Sequence, residues 1–305
     1  MNPGFSAAAY WKYLCERFPP VLNGFLAFLL YSCTLLASVR MRGFPVPGPL
    51  AYLAGYVWVV CVFYHLRVLD DLKDRDADVR AYPDRVLSRG LLSYRHLAVT
   101  GFLAVSLETA IAAALGPKIL LLHLATLAYS LLMFKEFFIR GWLKRHLFWY
   151  GISHMFILAF MDFTILQMAS ARGPIIRIPD FFLFAFLGFC MTFSLEVSRK
   201  IRIASVEKPD VDTYSKVIGI RGSLMLAASF QAAVIALAWL LRHALGLPVW
   251  FLASTIGTWM VVVILFMVLG RRLTDAKSRK LDKVAALFYL QFYLSLLAIL
   301  VLKNG

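Results

Sequence analysis

Asp70, Asp71, Asp74 and Asp78 recur at spacings that put carboxylates on one side of a helix, the arrangement in which acids hold a divalent cation. If the helix ending near Leu66 continues through Asp78, these four project within an arc of about 100°, and Arg67 joins them. Asp76 points nearly the opposite way. Four negative charges at a low-dielectric edge repel one another unless a cation sits among them. Mg2+ suits such a place, because it takes carboxylate oxygens, keeps waters and bridges to phosphates. Arg67, Arg80, Arg85 and Arg89 add guanidinium groups whose paired donors match phosphate oxygens. The pattern predicts a site for a metal–diphosphate complex. The competing reading is a solvated loop whose acids balance its bases.

The elements that position these residues are apolar. Of 305 residues, 61% are hydrophobic and 16% charged, and the mean hydropathy is +0.75. A soluble domain is nearer half apolar and a quarter charged. Apolar segments near 21–39, 47–66, 96–115, 118–138, 147–168, 180–197, 222–241, 247–269 and 284–302 each approach the length that crosses a bilayer as a helix. The fold class expected is all-α, a polytopic membrane bundle of about nine transmembrane helices, forming one domain over residues 1–305. The first twenty residues mix aromatic and charged side chains, as a short interfacial helix does.

The net charge of +15 is unevenly spread. With the N-terminus inside, 25 of the 32 Lys and Arg fall in inner regions, which predicts a cytoplasmic N-terminus. The basic charge therefore marks a membrane face, and no nucleic acid partner is expected. Six of the 17 acids lie between Asp70 and Asp84, and the long inner loops 67–95 and 198–221 place the chemistry on the cytoplasmic side. The basic run from Arg271 to Lys283 reads as a contact with membrane lipid headgroups. Glu108, His154 and Asp162 fall inside predicted spans, where an ionisable group is costly. His154 and Asp162 share a face, and either position an acceptor or tie helices together.

The run from Asp70 to Asp78 resembles the first aspartate motif, NDxxDxxxD, of the UbiA superfamily of intramembrane prenyltransferases. Asp70 stands where Asn is usual, with Asp71, Asp74 and Asp78 in register. Arg85-Val-Leu-Ser-Arg-Gly90 resembles the family's RPLxxG, with Val86 in place of proline. The family's second motif, DxxxD, is altered: Glu196-Val-Ser-Arg199-Lys200 occupies its place, and Thr213 to Gly219 resembles its tail. Glu207, Asp210 and Asp212 lie in the intervening loop.

The resemblance implies Mg2+-dependent transfer of a prenyl group from an isoprenyl diphosphate to an unidentified, lipophilic or aromatic acceptor. Asp71, Asp74 and Asp78 would be the catalytic acids, holding metal together with Asp70 and Glu196. Arg67, Arg85, Lys144, Arg145, Arg199 and Lys200 would bind the diphosphate. Glu196 and Lys200 also read as a simple i,i+4 pair at a helix end. A terpene cyclase of the same fold, and a transporter or binding member without catalysis, remain as alternatives.

Overall fold

The computed structural model describes residues 6–169, 179–207, 213–271 and 273–304. Among them there is no strand, and nine helices are long and apolar enough to cross a membrane. A short helix, α1 (Ala7–Arg17), precedes them, capped where the Ser6 hydroxyl accepts from the amide of Ala9. Then come α2 (Pro20–Arg42) and α3 (Pro49–Lys73), each starting with a proline. At a first helical position proline loses no hydrogen bond and its φ is already helical. The short α4 (Arg75–Ala81) follows, then α5 (Tyr94–Leu115) and α6 (Pro117–Phe134). Beyond a third short helix, α7 (Arg140–Arg145), one span is built from α8 (Leu147–Met155) and α9 (Ile157–Met168). The remaining spans are α10 (Pro179–Arg199), α11 (Tyr214–Leu240), α13 (Val249–Arg271) and α14 (Asp275–Asn304), with the single turn α12 (Arg242–Leu245) between α11 and α13.

Each span packs on its neighbours in sequence, and α14 returns to pack on α2, so the nine close into a ring. One apolar core lies among α10, α11, α13 and α14, and a second among α2, α3 and α9. Leu121, Leu124, Ile264, Met267 and Leu302 are exposed, as lipid-facing positions must be. Sequence neighbours run antiparallel, so the even-numbered spans all finish at one end. The site lies at that end.

The ninth span starts at Asp275 rather than near 284, and four other boundaries that bear on the site also differ from the sequence expectation. The second span does not run unbroken to Asp78: α3 stops at Lys73, Asp74 takes φ −92 and ψ 12, and α4 resumes at Arg75. The amide of Asp74 still donates to Asp70 and that of Asp78 to Asp74, so the four-residue register of the acids survives the break. The fourth span ends at Phe134 rather than near 138, because Glu136, Phe137 and Phe138 all have positive φ. A non-glycine residue is rare there, and a helix cannot continue through it. The fifth span is interrupted at Phe156. The seventh starts earlier, at Tyr214, and turns at Gly219, whose φ of 70 suits only glycine well. Asp210 and Asp212 lie outside the described residues.

At Gly151, α8 lies close to side chains of α10 and α11. A Cβ added at Gly151 would fall on the Tyr214 hydroxyl and come within 3.0 Å of the Phe193 ring, both buried. Gly151→Val should therefore cost about 1–3 kcal/mol by overpacking, read as a lowered thermal midpoint in detergent.

Candidate functional site

The end of α3 is fixed by its buried acid. Asp71 is 1% exposed, and its carboxylate is satisfied from three directions. The Tyr13 hydroxyl donates to Oδ2 at 2.8 Å, while Arg17 grips Oδ1 with both Nε and Nη2. Arg67 adds a third partner at 3.1 Å. A carboxylate buried at a membrane edge needs such neutralisation, since leaving it unpaired would cost several kcal/mol. Burial and the neighbouring Asp71 charge hold the Tyr13 phenol protonated. Burial opposes the Arg17 charge, but Asp71 and Asp78 outweigh it. Tyr13, Phe18, Tyr64 and Val68 close a small apolar cluster that seats α1 against α3.

Asp78, one turn into α4, is shared by Arg17 at 3.4 Å and Arg85 at 2.8 Å. Glu16 accepts from the amide of Val86, which anchors the segment carrying Arg85 to α1. Asp70 is outermost, 3.6 Å from Arg67 and 3.5 Å from Lys73. Asp74 stands at the break between the helices. Burial pushes its carboxyl above the ordinary carboxylate value; Lys73 opposes that rise, while Asp70, Asp78 and Glu136 add to it.

Beside these acids opens a cavity of about 480 Å3. Its lining includes eight cationic side chains, Arg17, Arg67, Arg85, Arg140, Lys144, Arg199, Lys200 and Arg202, against three acids, Asp74, Asp78 and Glu136. Leu143, Leu147, Tyr150 and Thr213 complete the parts that matter for chemistry. A cavity with that balance suits a compact polyanion. Glu136 reaches it from the left-handed turn after α6 and holds Arg140 at 2.8 Å.

At the far side, Glu196 on the last turn of α10 is bound by Arg199 and, at 2.9 Å, by Lys200. Burial opposes the charge on Lys200, yet the Glu196 carboxylate raises its pKa above the usual lysine value. Lys200 is therefore a fixed ammonium at neutral pH. Tyr150 lies between two ammonium groups. Lys73 donates to its hydroxyl at 3.0 Å, and the Lys73 and Lys200 nitrogens stand 5.5 and 5.6 Å from its ring. The His154 ring stacks on it at 3.9 Å. Its π face is already engaged with cations.

Of the residues singled out from sequence, Arg67, Asp74, Asp78, Arg85, Lys144, Arg199 and Lys200 line one cavity. Asp70, Asp71, Glu196 and Arg145 do not; the Arg145 guanidinium turns back to the carbonyl of Gly141. The expected five-carboxylate metal set is not assembled. Among the described residues no three acidic, histidine or cysteine side chains converge as metal ligands. The reason is local: Asp71 and Glu196 have their oxygens taken by Arg17, Arg67, Tyr13, Arg199 and Lys200. His154 and Asp162 are also parted, for Asp162 is buried where Thr34 donates to it at 2.9 Å. Glu108 is likewise buried, paired with His65. Arg17, Glu136 and Arg202 had not been singled out as site residues.

The model of the UbiA prenyltransferase family matches residues 24–297. No curated protein matches the chain. The structure resembles that of a UbiA homolog from Aeropyrum pernix K1, solved in its apo form, with a TM-score of 0.69 at 15% identity over 91% of this chain and 97% of that one. It also resembles a digeranylgeranylglyceryl phosphate synthase, with a TM-score of 0.64 at 14% identity over 96% and 99% of the two chains.

Breaking the buried pair should be costly. Arg17→Met is expected to destabilise the detergent-solubilised protein by about 3 kcal/mol, and adding Asp71→Asn should recover much of that loss. Equilibrium unfolding of the single and double variants measures the coupling.

Proposed function

The chain belongs to the UbiA prenyltransferase family, and on that premise we propose that it moves a prenyl group from an isoprenyl diphosphate to a lipophilic or aromatic acceptor. The reaction would take place at the cytoplasmic side of the membrane. The observation that carries this reading is the single cavity in which Asp74 and Asp78 meet Arg67, Arg85, Lys144, Arg199 and Lys200. Guanidinium groups match phosphate oxygens through paired donors, and ammonium groups add point charge. The likeness to a synthase of a geranylgeranylated phosphate accords with isoprenoid chemistry and leaves the acceptor open.

The family resemblance implies Mg2+. Mg2+ is commonly held by one or two carboxylates plus substrate phosphates, with water filling its remaining positions. Asp74 and Asp78 line the cavity four residues apart and fit that half-site, with Asp78 held through Oδ2 by Arg85 and Arg17. Bound there with the diphosphate, the ion supplies positive charge to oxygens that gain negative charge as the allylic C–O bond breaks. Asp71 positions the others, clamping α1 to α3 so that Arg17 and Arg67 reach the cavity wall. Arg85 and Lys144 orient the phosphates, while Leu143 and Leu147 give the first isoprenyl unit an apolar seat. Tyr150 orients Lys73 and Lys200; cations already occupy its ring, so it is not the stabiliser of an allylic cation.

The test uses purified protein in nanodiscs with geranylgeranyl diphosphate, Mg2+ and a membrane extract as acceptor source. Diphosphate release should depend on Mg2+, with the prenyl group recovered in a lipid-soluble product. Asp74→Asn and Asp78→Asn should each lower kcat about a hundredfold, whereas Asp76→Asn, exposed and off the cavity, should leave it unchanged. Full turnover by both cavity variants would overturn the proposal.

A further inference from the structure

The two walls of the cavity are chemically unlike. On the α3–α4 side, Asp74 and Asp78 line the cavity, Asp78 with Oδ2 held by Arg85 and Arg17. On the α10 side Glu196 is 7% exposed and does not line the cavity, and Glu207 beyond it accepts from Thr213 and Ser215. Lys200 and Arg199 are bound to the two Glu196 oxygens and themselves form the wall. A metal ion needs carboxylate lone pairs that face it. Here they face inward, and an approaching dication would meet an ammonium and a guanidinium first, with Arg202 beside them.

Resting on the function proposed above, we infer that this cavity takes one divalent ion per diphosphate, at Asp74 and Asp78, and that Lys200 with Arg199 grips the other end of the diphosphate without metal. Glu196 is then a positioning residue. Its two ion pairs fix where both cations point, and its charge keeps them together against their mutual repulsion. The Lys73–Tyr150–Lys200 arrangement closes the same corner from below, with nitrogens 5.5 and 5.6 Å from one ring. The diphosphate lies between a wall that needs a metal and a wall that carries its own charge.

The experiment counts ions. Full-length protein in nanodiscs is saturated with geranylgeranyl S-thiolodiphosphate, an analogue that does not ionise readily, and bound Mn2+ is measured by electron paramagnetic resonance and equilibrium dialysis. One Mn2+ per chain is expected for the wild type and two for Lys200→Asp. Lys200→Met should keep one ion and weaken the analogue about tenfold at saturating Mn2+, with Lys200→Arg recovering most of the loss. Two ions in the wild type, or unchanged analogue affinity in Lys200→Met, would overturn the inference while leaving the prenyltransferase reading intact. Should Lys200→Asp fail to fold, the wild-type count and the Met and Arg variants decide. Wild-type protein that binds no analogue under any metal condition would overturn the proposed function, and this inference with it.

Discussion

A carboxylate that stays charged when buried needs a cation beside it, and at Asp71 that need determines how the site is built. Asp71 lies at the end of a membrane-spanning helix with almost no solvent contact, so Arg17, Arg67 and Tyr13 are drawn to it. Arg17 comes from a helix outside the bundle. Satisfying one charge therefore docks α1, orders the segment that begins at Val86 and aligns Arg85 with Asp78. Remove the need to neutralise Asp71, and there is no electrostatic reason for α1 to lie where it does.

The same rule operates at Glu196 with a different result. There the neighbouring cations are its own helical neighbours, three and four positions on, so no distant segment is recruited. What reaches the cavity is the cations rather than the acid. Two buried carboxylates thus produce two kinds of wall: beyond Asp71 the acids Asp74 and Asp78 line the cavity among arginines, while beyond Glu196 an ammonium and a guanidinium line it. Tyr150 bridges the two, accepting from Lys73 and holding the Lys200 ammonium over its ring.

Much of this was legible in the sequence. The nine spans follow from stretches of apolar residues, whose length the bilayer dictates. The register of Asp70, Asp74 and Asp78 follows from helical periodicity, and it survives the break at Asp74 because the backbone bonds across the break keep the four-residue spacing. The family resemblance drew Arg199 and Lys200 to the same place as the first motif, and they do line the same cavity. What could not be read was which partner each acid would choose. Arg17 is 54 residues from Asp71, and nothing local links them. Glu136 belonged to an apparent helix, and no glycine, asparagine or proline announced the left-handed turn that swings it inward. The interruption at Phe156 is equally unsigned. Periodicity reports which side of a helix a residue occupies, not which of several nearby charges will bind it.

The turn at Glu136–Phe138 has a consequence for the rim it builds. Three successive residues with side chains in left-handed conformation hold the backbone well above its relaxed energy, by about 1 kcal/mol or more at each position. Phe137 is wedged edge-on against Tyr129 and His154, and Glu136 is latched by Arg140. These contacts keep the backbone under tension. Glu136 therefore owes its place at the cavity to the packing of its neighbour as much as to Arg140, and loss of the Phe137 ring contacts would remove that support.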